Sequence, residues 1–509
     1  LIVACCQEKY GSIKRKTIRF SIEVFSDWSH EDEKRNKLLA KCDAYVAKEN
    51  NSKNLIALFH LLANGKCITQ AFFRQYCMLV YQCEEEEIRY YYGVHELSWL
   101  VFLHPHLLYE DYHIERKKFL KHTAIDIWNS FDGKSLKKKG RHENRIAVMV
   151  DGLAGKVYAS ARLEIYLANE FARRGYEVTI FVADSNRRAG DFVDFLNPSG
   201  TRQTSSRMYE EEHSSMIADG VFILYNEELN YKERFEQYVK SIYEYSPDFI
   251  LDILGDRTLF DYVLISDFPI ITVPLAGVSS CAKYDYIIIR NFDTMKEVNK
   301  ECYSVEEEKA IEGNLYIPYK LESQKQFTRK KLHINLDDYV VVTVGNRLKT
   351  DITLDFAREM ASLLNRHENI KWLVVGAWRN EYEFLKDFFI KRRIICTGFV
   401  NELPALYRIC DVFLNPIRSG GGGSVAMFIQ MGLPAIISSK PSDILPFVGV
   451  ENCVKGDLKS MFEAVERIYY DKKSGQELAK RQKENLMNYK FTVESYANSV
   501  LALRKKVPK

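Results

Sequence analysis

The chain has 509 residues, too many for one ordinary domain at roughly 150 residues each, so about three are expected. Apolar residues make up 46% and charged residues 28%, close to the average soluble globular protein, which excludes disorder, collagen-like repeats and a coiled-coil rod. A net charge of +3 is too small to imply nucleic acid or an anionic membrane as a partner, so any anion binding must be local. Eleven Cys are scattered without a Cys-x-x-Cys pair, six of them before residue 84, and read as reduced thiols packed like small apolar residues. Apolar runs such as SWLVFL are broken by His and Pro well short of the roughly 18 residues a membrane span needs. The opening LIVACC has no Met, which leaves room for an upstream start, and no basic leader or small-residue cleavage site; a cytoplasmic location is expected.

Residues 1 to about 130 carry apolar positions at three-to-four spacing and predict a helical N-terminal domain over residues 1–142, in which Tyr90 to Tyr92 read as packing, with acceptor binding as the alternative, and Glu84 to Glu87 as a solvated helix face. The Lys-rich stretch FDGKSLKKKGRHENR reads as an exposed linker. From Arg145 short apolar strands alternate with amphipathic helices: RIAVMVDGL, a helix stopping at Gly175, EVTIFVA, then FEQYVKSIYEY, PDFILDIL, TLFDYVLIS, PIITVPLAG and YDYIIIR. That alternation forces a parallel sheet with helices on both faces, over residues 143–322. NPSGTRQTSSRMYEEEHSS reads as a long loop at its rim, and His213 and His333 within polar loops read as surface residues.

A second sheet of the same kind is predicted over residues 323–490, from YVVVTVG, IKWLVVG, RIICTGF, DVFLNP and LPAIIS with helices between them. Residues 491–509 read as a final helix returning across the interface. The expected class is therefore α/β, two facing Rossmann-like doubly wound sheets behind a helical domain, with a cleft between them.

Ligands of open parallel sheets bind beyond the carboxyl ends of the strands. In the loop RSGGGGSVAMFIQ, Gly420, Gly421, Gly422 and Gly423 lead into Ser424 and a helix, so exposed N–H groups favour phosphate; a tight turn is the plainer alternative. The loop is neither a P-loop nor a Gly-x-Gly-x-x-Gly fingerprint. After the first strand of the second sheet, Gly345, Asn346, Arg347 and Lys349 place two cations where they could neutralise a diphosphate. Backbone at Gly398, Phe399 and Val400 could meet a flat base edge.

The succession Gly-Asn-Arg-Leu, TGFVNELPALY, and DVFLNP into a Gly-rich loop, helix and MGLPAII resembles the donor half of GT-B glycosyltransferases of the retaining family 4 type. RIAVMVDGLAG with its following helix and strand resembles the opening of their acceptor half, and TVPLAGVSSCAKYDYIII has a weaker likeness to the bacterial adhesin and O-linked N-acetylglucosamine transferases. The resemblance covers roughly residues 145–505 and implies a GT-B fold and a nucleotide diphosphate sugar as donor, a UDP-sugar first. The implied acceptor is a glycan, lipid-linked molecule or protein. By position, Arg347 and Lys349 would hold the diphosphate, Gly420 to Ser424 the distal phosphate and sugar, Gly398 to Val400 the base, and Asp151, Gly152, Leu153, Ala154 and Gly155 the acceptor-side turn. The two Glu of the retaining pattern fall on Ser419 and Met427, and its Lys on Ile352. Peripheral membrane association and homo-oligomers are compatible with this reading; a nucleic-acid partner is not expected.

There is no Asp-x-Asp in the chain, so no metal or other cofactor is expected to be required, and Arg347, Lys349 and backbone N–H groups must stabilise the departing diphosphate. For a base the sequence nominates Asp256, with Asp151 in reserve and a helix N-cap as the plainer role of Asp256. Retention and inversion both stay open. A second reading is a GT-B subunit that has lost catalysis and binds acceptor for an active partner.

Overall fold

Runs of Val, Ile, Leu and Phe bounded by turn residues pair into two separate sheets in the computed structural model of the chain. It describes residues 47, 55–56, 58–59, 68–103, 107–140, 142–155, 159–184, 205–226, 230–253, 259–273, 281–289, 306–313, 321–322, 325–376, 393–418, 420–440, 442–489 and 492–507. The chain divides into two compact units: Leu1–Ile289 with Met295–Ile311 and Ser499–Lys509, and Arg290–Thr294 with Glu312–Asn498.

In the first unit the described part of the leading region is helical: α1 (Gln70–Tyr81), α2 (Glu86–Tyr90), α3 (Leu97–Leu103) and α4 (Tyr112–Ser130). Between α2 and α3 the helix widens into a π-helical turn, Tyr91–Glu96. Its cause is local. Phe119 of α4 lies where a Cβ on Gly93 would stand, so only glycine lets the two helices come this close. The wider register is then held by the buried Arg116 guanidinium, which donates to the carbonyls of Gly93 (2.6 Å) and Val94 (2.7 Å). Tyr90, Tyr91 and Tyr92 are buried packing residues.

The sheet of this unit has the order β3-β2-β1-β4-β5-β6-β7. Its strands are β1 (His142–Val150), β2 (Glu177–Val182), β3 (Val221–Tyr225), β4 (Pro247–Asp252), β5 (Ile270–Thr272), β6 (Tyr286–Ile289) and β7 (Ala310–Glu312). All pairings from β3 through to β6 are parallel. Helices α5 (Ala159–Arg173), α6 (Glu210–Ser214), α7 (Tyr231–Tyr245) and α8 (Asp261–Leu264) connect them. α4 contributes Phe119, Leu120, Ala124 and Ile127 to the same core as Ala147 and Met149 of β1 and Phe235 and Val239 of α7.

Two expectations change here. The stretch read as a rim loop contains α6 and is followed by β3, an edge strand with Phe222 and Leu224 exposed. Glu87, read with its neighbours as solvated, is half-buried: it accepts a hydrogen bond from the Tyr231 N–H at the start of α7 (3.1 Å), and burial raises its pKa.

The second unit has the sheet order β10-β9-β8-β11-β12, all parallel, from β8 (Tyr339–Val344), β9 (Ile370–Val375), β10 (Ile394–Cys396), β11 (Val412–Leu414) and β12 (Ala435–Ile436). Its helices are α9 (Leu348–Asp351), α10 (Leu354–Arg366), α11 (Leu403–Tyr407), α12 (Gly422–Gln430), α13 (Leu445–Val448), α14 (Leu458–Tyr470) and α15 (Lys472–Met487). The edge strand β12 is covered by the amide of the fully buried Gln482, which accepts from Ala435 N (3.0 Å) and donates to Ala435 O (2.7 Å). A last helix, α16 (Val493–Arg504), begins in the second unit and ends in the first. There Arg504 pairs with Asp248 through two bonds of 3.0 and 2.8 Å, both side chains about nine-tenths buried.

Candidate functional site

The loops that follow β8 and β11 meet in the second unit. Beyond β8 stand Gly345 and Asn346, and Arg347 forms the N-cap of α9. Lys349 lies within α9, its side chain outside the described residues. Beyond β11 the chain runs through Arg418 to Gly421, whose φ of +94° is the left-handed turn that starts α12.

The glycines of this loop leave room for charged side chains. A Cβ on Gly420 would stand 2.7 Å from Arg347 Nη2, one on Gly421 would overlap the Arg418 guanidinium, and one on Gly422 would stand 2.8 Å from Asp443 Oδ1. The structure thus brings Arg347 and the Gly-rich loop together. It also shows what occupies the start of α12: the Asp443 carboxylate, with Gly422 N 3.0 and 3.1 Å from its two oxygens. A negative charge at a helix N-terminus is the favourable arrangement, here supplied by the protein itself. Ser424 Oγ turns back to Gly421 O (2.9 Å).

Sequence reasoning gave Arg418 no role. Its side chain is 4% exposed and ties the two loops to the sheet, donating to Val344 O (2.7 Å), to Asn415 Oδ1 (3.0 and 2.7 Å) and to Asp351 (3.0 Å). Every one of its partners comes from a strand end or the helix after it, so the guanidinium fixes the geometry of the Gly-rich loop. Its place directly before Ser-Gly-Gly was the available signal. Gly398, Phe399 and Val400 follow β10 on the opposite side of β9, with the Gly398 carbonyl accepting from Gly376 N (2.8 Å) and Phe399 exposed. Ile352, where the family pattern has Lys, is buried in one core of the second unit, and Met427 packs, partly buried, against the unit's other core; Ser419 lies outside the described residues.

In the first unit the turn Asp151 to Gly155 follows β1 and is held from β2 and α6. Leu153 N donates to Ser206 Oγ (2.8 Å), and Ser206 bonds through N (3.1 Å) and Oγ to the buried Asp184. His213 is not a surface residue but fully buried. Its Nε2–H donates to the Ala154 carbonyl (2.9 Å) and its Nδ1 lies 2.8 Å from the Tyr225 hydroxyl; burial lowers its pKa and favours the neutral ring. His333 is exposed.

Around Asp151 the unit gathers buried polar groups that the sequence did not reveal. His95 of the π-helical turn has Nδ1 3.8 Å from Asp151 Oδ2, and Glu96 accepts from the Tyr91 hydroxyl (2.9 Å). Glu164 of α5 is 3% exposed, and burial, with the Asp151 charge adding to it, pushes its pKa up to about 8. Asp256 lies outside the described residues. Among the described residues no group of three or more His, Cys, Asp or Glu is placed to hold a metal ion, and no helix is long and apolar enough to cross a membrane.

Two Rossmann-like parallel sheets with helices around them define the GT-B class. Solved structures of that fold match over most of the chain. The O-GlcNAc transferase of Thermobaculum terrenum is 12% identical and covers 92% of this chain and 86% of its own, with a TM-score of 0.55. Sucrose-phosphate synthase from Thermosynechococcus elongatus is 15% identical over 72% of this chain and 99% of its own, TM-score 0.51. HepE of Anabaena, solved with UDP and glucose, is 13% identical over 72% of this chain and 100% of its own, TM-score 0.50. At these identities the likeness is one of fold. Residues 338–471 match the family Glycosyl transferases group 1, a region running from the start of β8 to the end of α14. No curated protein matches the chain by sequence.

Proposed function

We propose that the chain is a glycosyltransferase that moves a hexosyl or N-acetylhexosaminyl group from a nucleotide diphosphate sugar, a UDP-sugar first, to a polysaccharide, lipid-linked or protein acceptor without a metal. One observation carries the reading. The family match at residues 338–471 contains the place where Arg347 abuts the Gly-rich loop at the carboxyl ends of β8 and β11. A guanidinium beside several backbone N–H groups is the chemistry that holds a diphosphate and stabilises it as it leaves. The complex of HepE with UDP supports the choice of nucleotide by analogy of fold. Asp256, outside the described residues, is the proposed base, with Asp151 on the first unit in reserve.

A second reading, an acceptor-binding subunit without turnover, is favoured by the carboxylate pattern: Met427 is a packing residue, and Asp443 occupies the start of α12. One experiment separates the two. Thermal shifts of the full chain with UDP, UDP-glucose and UDP-N-acetylglucosamine, in excess chelator, are expected to rise with ligand. Arg347→Ala is expected to remove about 3 kcal/mol of that binding, on the order of a hundredfold. No shift with any of the three would remove the donor reading; binding without consumption of either sugar nucleotide, even with added acceptors, would favour the subunit.

A further inference from the structure

Beside α4 the first unit has a cavity of about 490 Å³ that contains none of the residues of the loops described above. One wall is α4 itself, which supplies Lys117, Lys118 and Lys121, and the other is the approach to β6, which supplies Lys283. Three of these lysines are exposed and Lys117 is half-buried. Among the described lining residues Glu306 is the one acid, and its carboxylate is paired with Lys309 of the turn that follows it (2.5 Å). Lys117 and Lys121 stand four apart on one helix, a spacing at which like charges weaken it, and a concave wall of one sign concentrates its field on whatever enters.

Between the lysines the lining is apolar. It consists of Ile125 of α4, Ile265 just beyond α8, Ala282, and the side chains of Tyr262 and Tyr284, with Ala282 and Tyr284 buried. The Tyr262 hydroxyl donates to the Cys281 carbonyl (2.6 Å), so its polar end is engaged and its ring is left for the cavity. The fully buried Asp261 carboxylate accepts the Lys283 N–H. These two bonds pin residues 281–283 to α8, so the wall that carries Lys283 is in place before any ligand arrives. Ile265 and Lys283 lead into the amino ends of β5 and β6, whereas the turn Asp151 to Gly155 follows the carboxyl end of β1 in the same parallel sheet. The cavity is therefore away from the edge at which open parallel sheets take their substrates.

Lysine ammonium groups are point charges suited to phosphate, and aromatic and branched side chains suit a flat apolar body. The volume falls within the roughly 300–1,000 Å³ of small-molecule sites. Ala282 and Tyr284 lie buried, where a ligand reaches them only by entering, and that favours a small molecule over a bilayer surface. We propose that this cavity binds a nucleoside phosphate at a site separate from the donor loop, its phosphates held by Lys117, Lys118, Lys121 and Lys283 and its base against the rings of Tyr262 and Tyr284. The inference stands on these residues and not on the donor reading. An occupant would tie α4, from the leading helical region, to the side of the sheet that carries β6.

The test is acetylation of lysines on the full chain, read residue by residue by mass spectrometry, with ATP, UTP, adenosine or inorganic pyrophosphate present. At least one nucleotide is expected to protect Lys121 and Lys283 severalfold while Lys480, an exposed lysine of α15, is labelled as before. Adenosine, without phosphates, and pyrophosphate, without a base, are each expected to need about tenfold more ligand for the same protection. Arg347→Ala, at the donor loop, is expected to leave the protection intact. In that background, Lys121→Glu combined with Lys283→Glu is expected to weaken nucleotide binding by calorimetry about a hundredfold, with thermal unfolding like that of the parent showing that the variant folds. The proposal is overturned if no nucleotide protects the two lysines, if pyrophosphate protects as well as every nucleotide, or if the protection is lost in Arg347→Ala. Protection by vesicles of anionic phospholipid where neither nucleotide protects would overturn it in favour of a membrane surface.

Discussion

Glu164 gives a prediction at the scale of one residue that needs no ligand. Its carboxyl titrates at about 8 in the folded chain against an ordinary value of 4.5, so between those pH values the folded state holds a proton that the unfolded chain has released. Stability therefore falls as pH rises through that interval and levels off above it. The pH slope from this group is expected to be on the order of a few kcal/mol across the whole window, and absent in Glu164→Gln. Denaturant unfolding of both proteins from about pH 4.5 to pH 9 checks it; parallel curves would mean that Glu164 is not a protonated interior group. None of this was legible in the sequence. Glu164 sits in ARLEIYLANEF at a position that reads as an ordinary polar residue of an amphipathic helix, and His95 approaches Asp151 only because Gly93 and Arg116 widen a helix by one residue. His213 was misread because its burial depends on Ala154, 59 residues away, and on Tyr225 at the end of β3, a strand the sequence pattern did not show. Arg347, by contrast, could be picked out from its place two residues past a Gly that follows a strand.

At the scale of elements the sequence was most informative where both faces of a strand are buried. β1, β2, β4, β8 and β9 are continuous apolar runs because helices cover the sheet on each side, and periodicity finds such runs. β3 was missed because it is an edge strand whose exposed Phe222 and Leu224 follow a polar stretch without a strand-like approach. The Gly-rich loop was found, but its glycines were read as open to a ligand, and the nearest groups to them are side chains of Arg347, Arg418 and Asp443. The Asp443 carboxylate already takes the Gly422 N–H, so α12 begins with a negative charge in place. Two anions about 4 Å apart near a protein surface repel by roughly 4 kcal/mol. Asp443→Asn is therefore expected to lower the unfolding free energy by about 0.5–1 kcal/mol through the weakened helix start, and to tighten UDP binding by calorimetry. Weaker UDP binding in that variant would mean that the carboxylate holds part of the nucleotide.

For the whole molecule, two sheets of the same kind were readable from the alternation of strands and helices. Less readable was the use the first unit makes of distant segments. α4 lies ahead of the linker-like Lys-rich stretch, yet shares one core with β1 and α7. The Arg504–Asp248 pair joins residues 256 apart. Removing one partner of a buried pair leaves an uncompensated charge at a cost of about 3–5 kcal/mol. Arg504→Ala is expected to lower the melting temperature through the first unit, with hydrogen exchange rising in β4 and its neighbours; exchange unchanged there would show that the pair is dispensable.

The same pair sets an order of events during synthesis. A ribosome delivers the strands of the first sheet early, and domains ordinarily close as they emerge. Here the cation that pairs with Asp248 is translated after the entire second unit, so the earlier part of the chain gains this ion pair only once the later part has been made. A nascent chain stalled before residue 504 would carry a finished second unit and a first unit that lacks this pair and is more open to chaperones and proteases.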